Sequence, residues 1–301
     1  IIRDLPDRLF VWNNVQREEA TTMHGVPGDR VVVTGAQCFD RWFDRRPRRD
    51  RSAFAARVGL PDDRPFVLWV CSALFQGSPS EAAFVLEWAK QVRASSDPVL
   101  RDAAILIRPH PSRAAEWEGV DWSTLPNVAL WGGNPIDDES RADYFDSLYH
   151  SAAVVGLNTS AFIEAGIAER PVLAILPEVF RPNQEGTLHF RYLIDGGLLT
   201  TSRSIDEHLP QLATMLRGDS AETLARQRRF VEAFVRPRGL TVSATETMAD
   251  AIEQLGRDRP SSEVVRPSWV GRTGLWVLDL MTRRPWTRGW LLDEREFESN
   301  A

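Results

Sequence analysis

Short, unbroken apolar runs recur along the chain, each leading into a polar turn and then a stretch of helical period. Pro65-Phe66-Val67-Leu68-Trp69-Val70-Cys71, Ala104 to Ile107, Asn127 to Trp131, Ala153 to Gly156 and Val172 to Ile175 predict strands of a parallel sheet, buried on both faces. Between them, Ser80 caps an amphipathic helix from Glu81 to about Ala94, with Phe84, Val85, Trp88 and Val92 on its apolar side. Further helices are expected over Phe54 to Val58, Asp143 to His150, from Ser204 or Asp206 onward, over Ala221 to Ala233 and over Ala244 to Leu255. Strands alternating with helices define an α/β fold, a Rossmann-like parallel sheet flanked by helices.

The first 30 residues hold an apolar patch from Leu9 to Trp12, a polar helical run from Gln16 to His24 and a turn at Pro27-Gly28-Asp29. Val31-Val32-Val33 then reads as a strand. The basic segment Asp44 to Ser52, broken by Pro47, reads as an exposed linker. Beyond Gly256 the composition changes, with a linker from Arg257 to Pro267 and then a Trp- and Arg-rich, helical extension.

Open parallel sheets bind ligands beyond the carboxyl ends of their strands, and three predicted strands end in suitable polar residues. Ser72 follows Cys71, Arg108 and His110 follow Ile107, and Asn158, Thr159 and Ser160 follow Gly156. In Arg108-Pro109-His110-Pro111 the two prolines hold the backbone extended and present a cation and an imidazole. A strand exit with His110 capping a neighbouring turn is the plainer alternative. Thr159 or Ser160 caps the next helix, whose first turn offers N–H groups to an anion, and Glu164 is placed to accept from sugar hydroxyls. Capping with Glu164 against the helix dipole accounts for the same residues. Together these residues describe a seat for a nucleotide diphosphate.

Composition narrows the possibilities. A net charge of −6 gives no basic footprint for nucleic acid. Lys90 is the single lysine, and Cys38 and Cys71 stand apart, with neither a disulfide framework nor metal-ligand spacing. Cys71 reads as a core residue, and His24, His150 and His208 as surface or packing residues. The pairs Asp137-Asp138 and Glu18-Glu19 read as solvated. The isolated cysteines fit a cytoplasmic compartment, and no run approaches the roughly 20 apolar residues of a membrane span. The chain opens at Ile1-Ile2-Arg3 without a Met and without a signal-peptide pattern, which gives the expectation of a fragment or processed product. P-loop, zinc-hydrolase, nucleophile-elbow and dinucleotide fingerprints are all missing from the sequence.

The run from Asn158 to Leu173, with Gln184-Glu185-Gly186-Thr187-Leu188-His189-Phe190, resembles the nucleotide-binding half of GT-B glycosyltransferases. The resemblance extends to Val31-Val32-Val33-Thr34-Gly35-Ala36 with Phe39-Asp40, to Ile107-Arg108-Pro109-His110-Pro111-Ser112, and to Phe234-Val235-Arg236-Pro237-Arg238-Gly239-Leu240. It spans residues 10 to 255 and is nearest to bacterial enzymes that build surface and capsular polysaccharides. CDP-glycerol glycerophosphotransferases and UDP-N-acetylglucosamine 2-epimerases are similar.

The resemblance implies residues 1–30 as the remnant of an N-terminal lobe and hinge, 31–256 as the nucleotide-sugar-binding lobe, and 257–301 as linker and extension. It implies transfer of a sugar from a nucleotide sugar to a polysaccharide or glycolipid acceptor, the missing lobe coming from the rest of a longer chain or from a partner. Arg108 and His110 would stabilise the leaving diphosphate, while Ser72, Asn158, Thr159, Ser160 and Glu164 bind the nucleotide. Gln184 and His189, in an irregular segment after Pro182, would face the sugar or the acceptor, or simply hold a loop. Asp40 would shape the interdomain hinge. No cofactor is implied, and the lack of a D-x-D agrees with metal-independent chemistry. Two rivals remain, a sugar-nucleotide epimerase of the 2-epimerase type and a non-catalytic nucleotide-binding module.

In the tail, Trp269, Leu275, Trp276, Leu278, Leu280, Trp286 and Trp290 alternate with Arg272, Arg283, Arg284 and Arg288. Residues 268–290 suit either peripheral contact with the inner face of the cell membrane or packing against another lobe. Asp279, Asp293, Glu294, Glu296 and Glu298 favour packing.

Overall fold

The computed structural model describes residues 5–258 and 269–282. Its centre is a six-stranded, all-parallel sheet built from β3 (Phe66–Val70), β4 (Ala104–Arg108), β5 (Val128–Leu130), β6 (Ala153–Gly156), β7 (Val172–Ile175) and β8 (Thr200–Ser202). The spatial order is β5-β4-β3-β6-β7-β8. Every residue of β3, β4, β6 and β7 is buried, which is why these strands read as unbroken apolar runs. Alternate side chains still go to opposite faces. Phe66, Leu68, Val70, Leu106, Val154 and Val172 join one core, with the helices Asp138–Tyr149, Ala161–Ile167 and Ala221–Phe234; Val67, Trp69, Ile105, Ile107, Val155 and Leu173 join the other, with Glu81–Ala94 and Ile205–Leu216.

A second, two-stranded parallel sheet pairs β1 (Leu9–Val11) with β2 (Val31–Val33) across the helix Asn14–Thr22. The Asn13 amide group donates to the carbonyl of Phe234 at 2.8 Å, and Ala36 N–H donates to Val235 at 2.8 Å. Two of the motifs noted above, Thr34 to Asp40 and Phe234 to Leu240, therefore meet in space. Gly35 sits at the contact with φ +92°, and a Cβ there would lie 2.8 Å from that of Ala244. Asp40 completes the junction by accepting from Arg236 and from the start of the helix Ala244–Asp258.

Several expectations need correction. The basic segment 44–52 is no free linker: Arg48 and Arg49 N–H groups donate to Asp146 at 2.9 and 3.2 Å, and Arg49 and Arg57 guanidinium groups donate to Asp143. Asp143 and Asp146 are buried on the helix Asp138–Tyr149 and need those donors. That helix starts five residues before Asp143, because Asp137 and Ser140 form a capping box. Asp137 is thus a cap, and Glu19 is engaged by the Tyr192 hydroxyl. The segment after Pro182 is not irregular throughout, since Leu188–Asp195 is helical. The edge strand β8 was not expected.

The chain divides into two units, Ile1–Ala251 and Ile252–Ala301. In the second, Trp269–Thr282 is a helix with Trp269, Trp276, Val277 and Leu280 exposed. The linker residues 259–267 and Arg283, Arg284, Trp286, Arg288 and Trp290 lie outside the described residues. Among the described residues no helix is long and apolar enough to cross a membrane.

Candidate functional site

The chain builds the sheet outward from its middle, first β3 to β5 on one side and then β6 to β8 on the other. The loops leaving β3 and β6 therefore diverge, and a crevice opens beyond their carboxyl ends. A cavity of about 650 Å³ occupies that place. The exits of β3 (Cys71), β4 (Arg108, His110), β5 (Asn134) and β6 (Thr159, Ser160) all reach it, with Tyr144 and Glu164 from two helices.

Arg108 is the last residue of β4 and is 5% exposed. Its guanidinium lies 5.1 Å from the centroid of the Tyr144 ring, and Nη2 reaches the Gly133 carbonyl only at 3.5 Å. Nη1 is buried with no hydrogen-bond partner. Buried cationic donors are ordinarily paired, so this N–H is a donor that the protein itself leaves without an acceptor. Gly132 makes the arrangement possible: its φ is +106°, and a Cβ there would stand 2.4 Å from Arg108 Cζ.

His110 is half-buried at the head of a 3₁₀ turn, Pro111–Trp117. The Ser112 N–H donates to Nδ1 at 3.3 Å, so a neutral ring carries its proton on Nε2. Burial, with the Arg113 charge beside it, pushes the imidazole pKa below its usual value and keeps the ring neutral near pH 7. His110 is both a local cap and an N–H donor at the cavity.

Thr159, not Ser160, supplies the side-chain cap of the helix Ala161–Ile167: its Oγ1 accepts from Ala161 N–H at 3.3 Å. Phe162 and Ile163 N–H groups bond to Thr159 and Ser160 carbonyls at 3.2 and 3.0 Å. The first-turn amides expected to meet an anion are thus already engaged. The hydroxyl proton of Thr159 and the exposed Ser160 side chain remain for a ligand.

Glu164 lines the same cavity, and its carboxylate accepts from the Tyr144 hydroxyl. Burial pushes its pKa up to about 7, against the opposing effects of that hydrogen bond and of Arg45. Burial, the Glu164 charge and the same hydrogen bond raise Tyr144 well above its usual value. The cavity thus combines an orphan guanidinium N–H, an imidazole N–H and two hydroxyls with one under-solvated carboxyl, a set suited to a polyanion joined to a polyol.

Not every candidate reaches this surface. Ser72 is wholly buried; its Oγ accepts from Asn158 N–H at 3.1 Å, and its own N–H donates to Glu81 at 2.7 Å. Gln184 is 1% exposed and donates to the carbonyls of Leu157 and Ile175 at 2.9 and 2.7 Å. The Asn158 amide and the Glu81 carboxylate hold Ser72, and two buried carbonyls hold Gln184, so neither side chain lines the cavity. Asn158 donates to the Asn183 carbonyl and lines an adjoining cavity of about 290 Å³. Exposed His189, in the first turn of its helix, lines that second cavity too, and His110, Thr159 and Ser160 border both. Sequence reasoning missed Tyr144 and the buried Glu81.

No protein-family model matches the chain, and no curated protein matches it. Solved structures do resemble it. A putative UDP-N-acetylglucosamine 2-epimerase from Listeria monocytogenes superposes with a TM-score of 0.55 at 18% identity, over 86% of this chain and 63% of that one. UDP-GlcNAc 2-epimerase from Neisseria meningitidis, bound to UDP-GlcNAc, gives 0.53 at 14%, over 82% and 62%. The wall teichoic acid polymerase TagF gives 0.51 at 15%, over 83% and 59%. What they share with this chain is the fold, a GT-B-like arrangement in which a parallel sheet is flanked by helices. The chain spans about three fifths of the length of each.

Proposed function

We propose that this chain is the nucleotide-sugar-binding lobe of a GT-B glycosyltransferase that builds a surface polysaccharide or glycolipid. The observation that carries the reading is the buried Arg108 guanidinium, with an unpartnered N–H, at the switch-point cavity beside neutral His110. Its diphosphate would lie against Arg108 and the Nε2–H of His110, with Thr159 and Ser160 hydroxyls donating to it. Glu164 would receive the ribose hydroxyls. As the bond from the anomeric carbon to the diphosphate oxygen breaks, its electron pair passes to that oxygen. Preplaced N–H groups meet the growing charge and lower the barrier. The sugar goes to an acceptor hydroxyl, whose proton leaves to a base supplied from outside the residues named here. The acceptor contacts would come from an N-terminal lobe, in the same chain or a partner. Metal-independent transfer belongs to the proposal; addition of a chelator leaves the rate unchanged if it is right.

Calorimetric titration with UDP, GDP and CDP tests the binding half. One nucleotide should bind selectively, and Arg108→Ala or His110→Ala should weaken it about tenfold to a hundredfold, the loss of a charge-assisted hydrogen bond. Failure to bind any of the three, or equal binding by both variants, overturns the reading. Labelled nucleotide sugar with the full-length protein tests the chemistry: epimerised free sugar without acceptor identifies an epimerase, and intact binding without either product identifies a non-catalytic module.

A further inference from the structure

Glu81 opens the helix Glu81–Ala94 behind β3 and is 1% exposed. No part of it lines either cavity described above, yet its carboxylate sits at the start of a continuous chain of hydrogen bonds. Oε1 accepts from the Trp69 indole at 3.1 Å and Oε2 from Ser72 N–H at 2.7 Å. The Ser72 hydroxyl donates to Oε1 at 3.5 Å and accepts from Asn158 N–H at 3.1 Å. Asn158 then donates to the Asn183 carbonyl, and Asn183 returns to the loop after β3 by accepting from Phe75 N–H at 2.5 Å and donating to Ser78 at 2.9 Å. The His110 side is tied in as well. Glu81 N–H donates to Glu116 at 3.0 Å, and Arg113, paired with Glu116, donates to the Pro79 carbonyl at 3.2 Å.

A buried carboxylate is costly unless its bonds do something. Here they fix the turn that carries Asn158, Thr159 and Ser160. We infer that Glu81, acting through Ser72, is a positioning residue of the ligand site, holding the Asn158–Ser160 turn in the geometry that receives the diphosphate. The inference rests on the nucleotide-sugar reading above. It assigns Ser72 a part different from direct contact: its hydroxyl is the link between a carboxylate on one side of the β3 exit and an amide on the other. Glutamine at position 81 is a poor substitute, because it keeps one acceptor oxygen and sets an amide donor either against Ser72 N–H at the Oε2 position or against the Trp69 indole and Ser72 hydroxyl at the Oε1 position.

Hydrogen exchange of the ligand-free chain tests the inference, run on the wild type, Glu81→Gln, Ser72→Ala and the double variant. Asn158 N–H should exchange about tenfold faster in each variant, while amides of β6 and of the helix Glu81–Ala94 beyond its first turn keep their protection. Affinity for the nucleotide selected by the wild type should fall about tenfold, the lower end of what outer-shell hydrogen-bond partners contribute at metal sites. The double variant should be no worse than Ser72→Ala alone, because both changes cut one chain. Unchanged exchange at Asn158, loss of protection spread through the sheet, or full affinity in Ser72→Ala overturns the inference; Ser72→Ala removes a single buried hydroxyl and decides the matter if Glu81→Gln does not fold. A wild type that binds no nucleotide overturns the nucleotide-sugar reading instead, a result distinct from variants that bind as the wild type does.

Discussion

Asp40 and Glu164 are both acidic residues beside aromatic rings and arginines, and the fold treats them oppositely. Asp40 accepts from Arg236 Nε and Nη2 at 3.1 and 2.7 Å, from the Ser243 hydroxyl at 3.2 Å, and from Ala244 and Thr245 N–H groups at 3.2 and 2.6 Å. Burial raises its pKa, but the bonds from Thr245, Arg236 and Ala244 outweigh that and hold it down at about 2. Glu164 has the Tyr144 hydroxyl, and burial leaves it up at about 7. A carboxylate whose acceptor sites are filled is finished structure. One that is short of donors and lines the same cavity as the under-bonded Arg108 guanidinium is the kind of group for which the proposed function supplies a partner.

The comparison breaks most visibly at the finished end. Asp40→Ala leaves the Arg236 guanidinium, 6% exposed and 3.7 Å from the centroid of the Phe43 ring, without its counter-ion. Breaking a buried pair in this way costs about 3–5 kcal/mol, read as a lower urea midpoint at pH 7. Because the folded-state pKa is depressed, the Asp40 contribution is present above the ordinary carboxylate range and is lost as pH falls from about 4 through about 2. The variant should lack that acid-limb loss, and its folded fraction should bind nucleotide as the wild type does.

Glu164→Gln should do the reverse. Affinity for nucleotide falls about tenfold to a hundredfold, as for a lost hydrogen bond to a charged group, while stability at pH 7 holds or rises. A carboxyl raised by the fold favours its protonated form there, so wild-type stability declines as pH climbs from the ordinary glutamate range through about 7. Glutamine removes that part of the decline. Glu81, also pushed up to about 7 by burial, preserves the remainder. A denaturation series from pH 5 to pH 8 separates the two. An unfolding curve for Glu164→Gln as pH-dependent as the wild type's would show that Glu164 is not the under-bonded group it is taken for.

Much of this was legible in the chain. The four central strands announce themselves because burial on both faces leaves no room for polar residues, and the strand ends follow at once. The edge strand β8 was not legible: Thr200-Thr201-Ser202 is polar and half-covered, so no apolar run marks it. Position at a strand end also fails to say which way a side chain turns. Ser72 and Gln184 stand at the binding edge in sequence, yet unpaired backbone groups of Asn158, Leu157 and Ile175 capture them. Tyr144 and Glu164 lie 20 residues apart on different helices, a pairing that only tertiary packing creates. The basic run at 44–52 hid its partners for the same reason, since Asp143 and Asp146 lie nearly 100 residues away.

His208 sharpens the comparison from a third side. Both ring nitrogens are buried without partners, the ring packs 6.2 Å from Trp88, and burial drives its pKa down to about 3. By bonding alone it is more deprived than Glu164, but it lies in the sealed core between the helices Glu81–Ala94 and Ile205–Leu216, away from every cavity described here. If deprivation alone made a site, His208 would be one. His208→Leu should instead raise stability by about 1–2 kcal/mol at pH 7, because an apolar group of similar size replaces unsatisfied polar atoms. The fold refuses a proton that the unfolded chain accepts, so wild-type stability falls as pH drops from about 6.5 toward about 3. The leucine variant should lose that slope while nucleotide affinity stays unchanged. A gain in stability with a loss of affinity would tie His208 to the site and mean that access to a cavity is the wrong criterion for separating Glu164 from the rest of the buried polar groups.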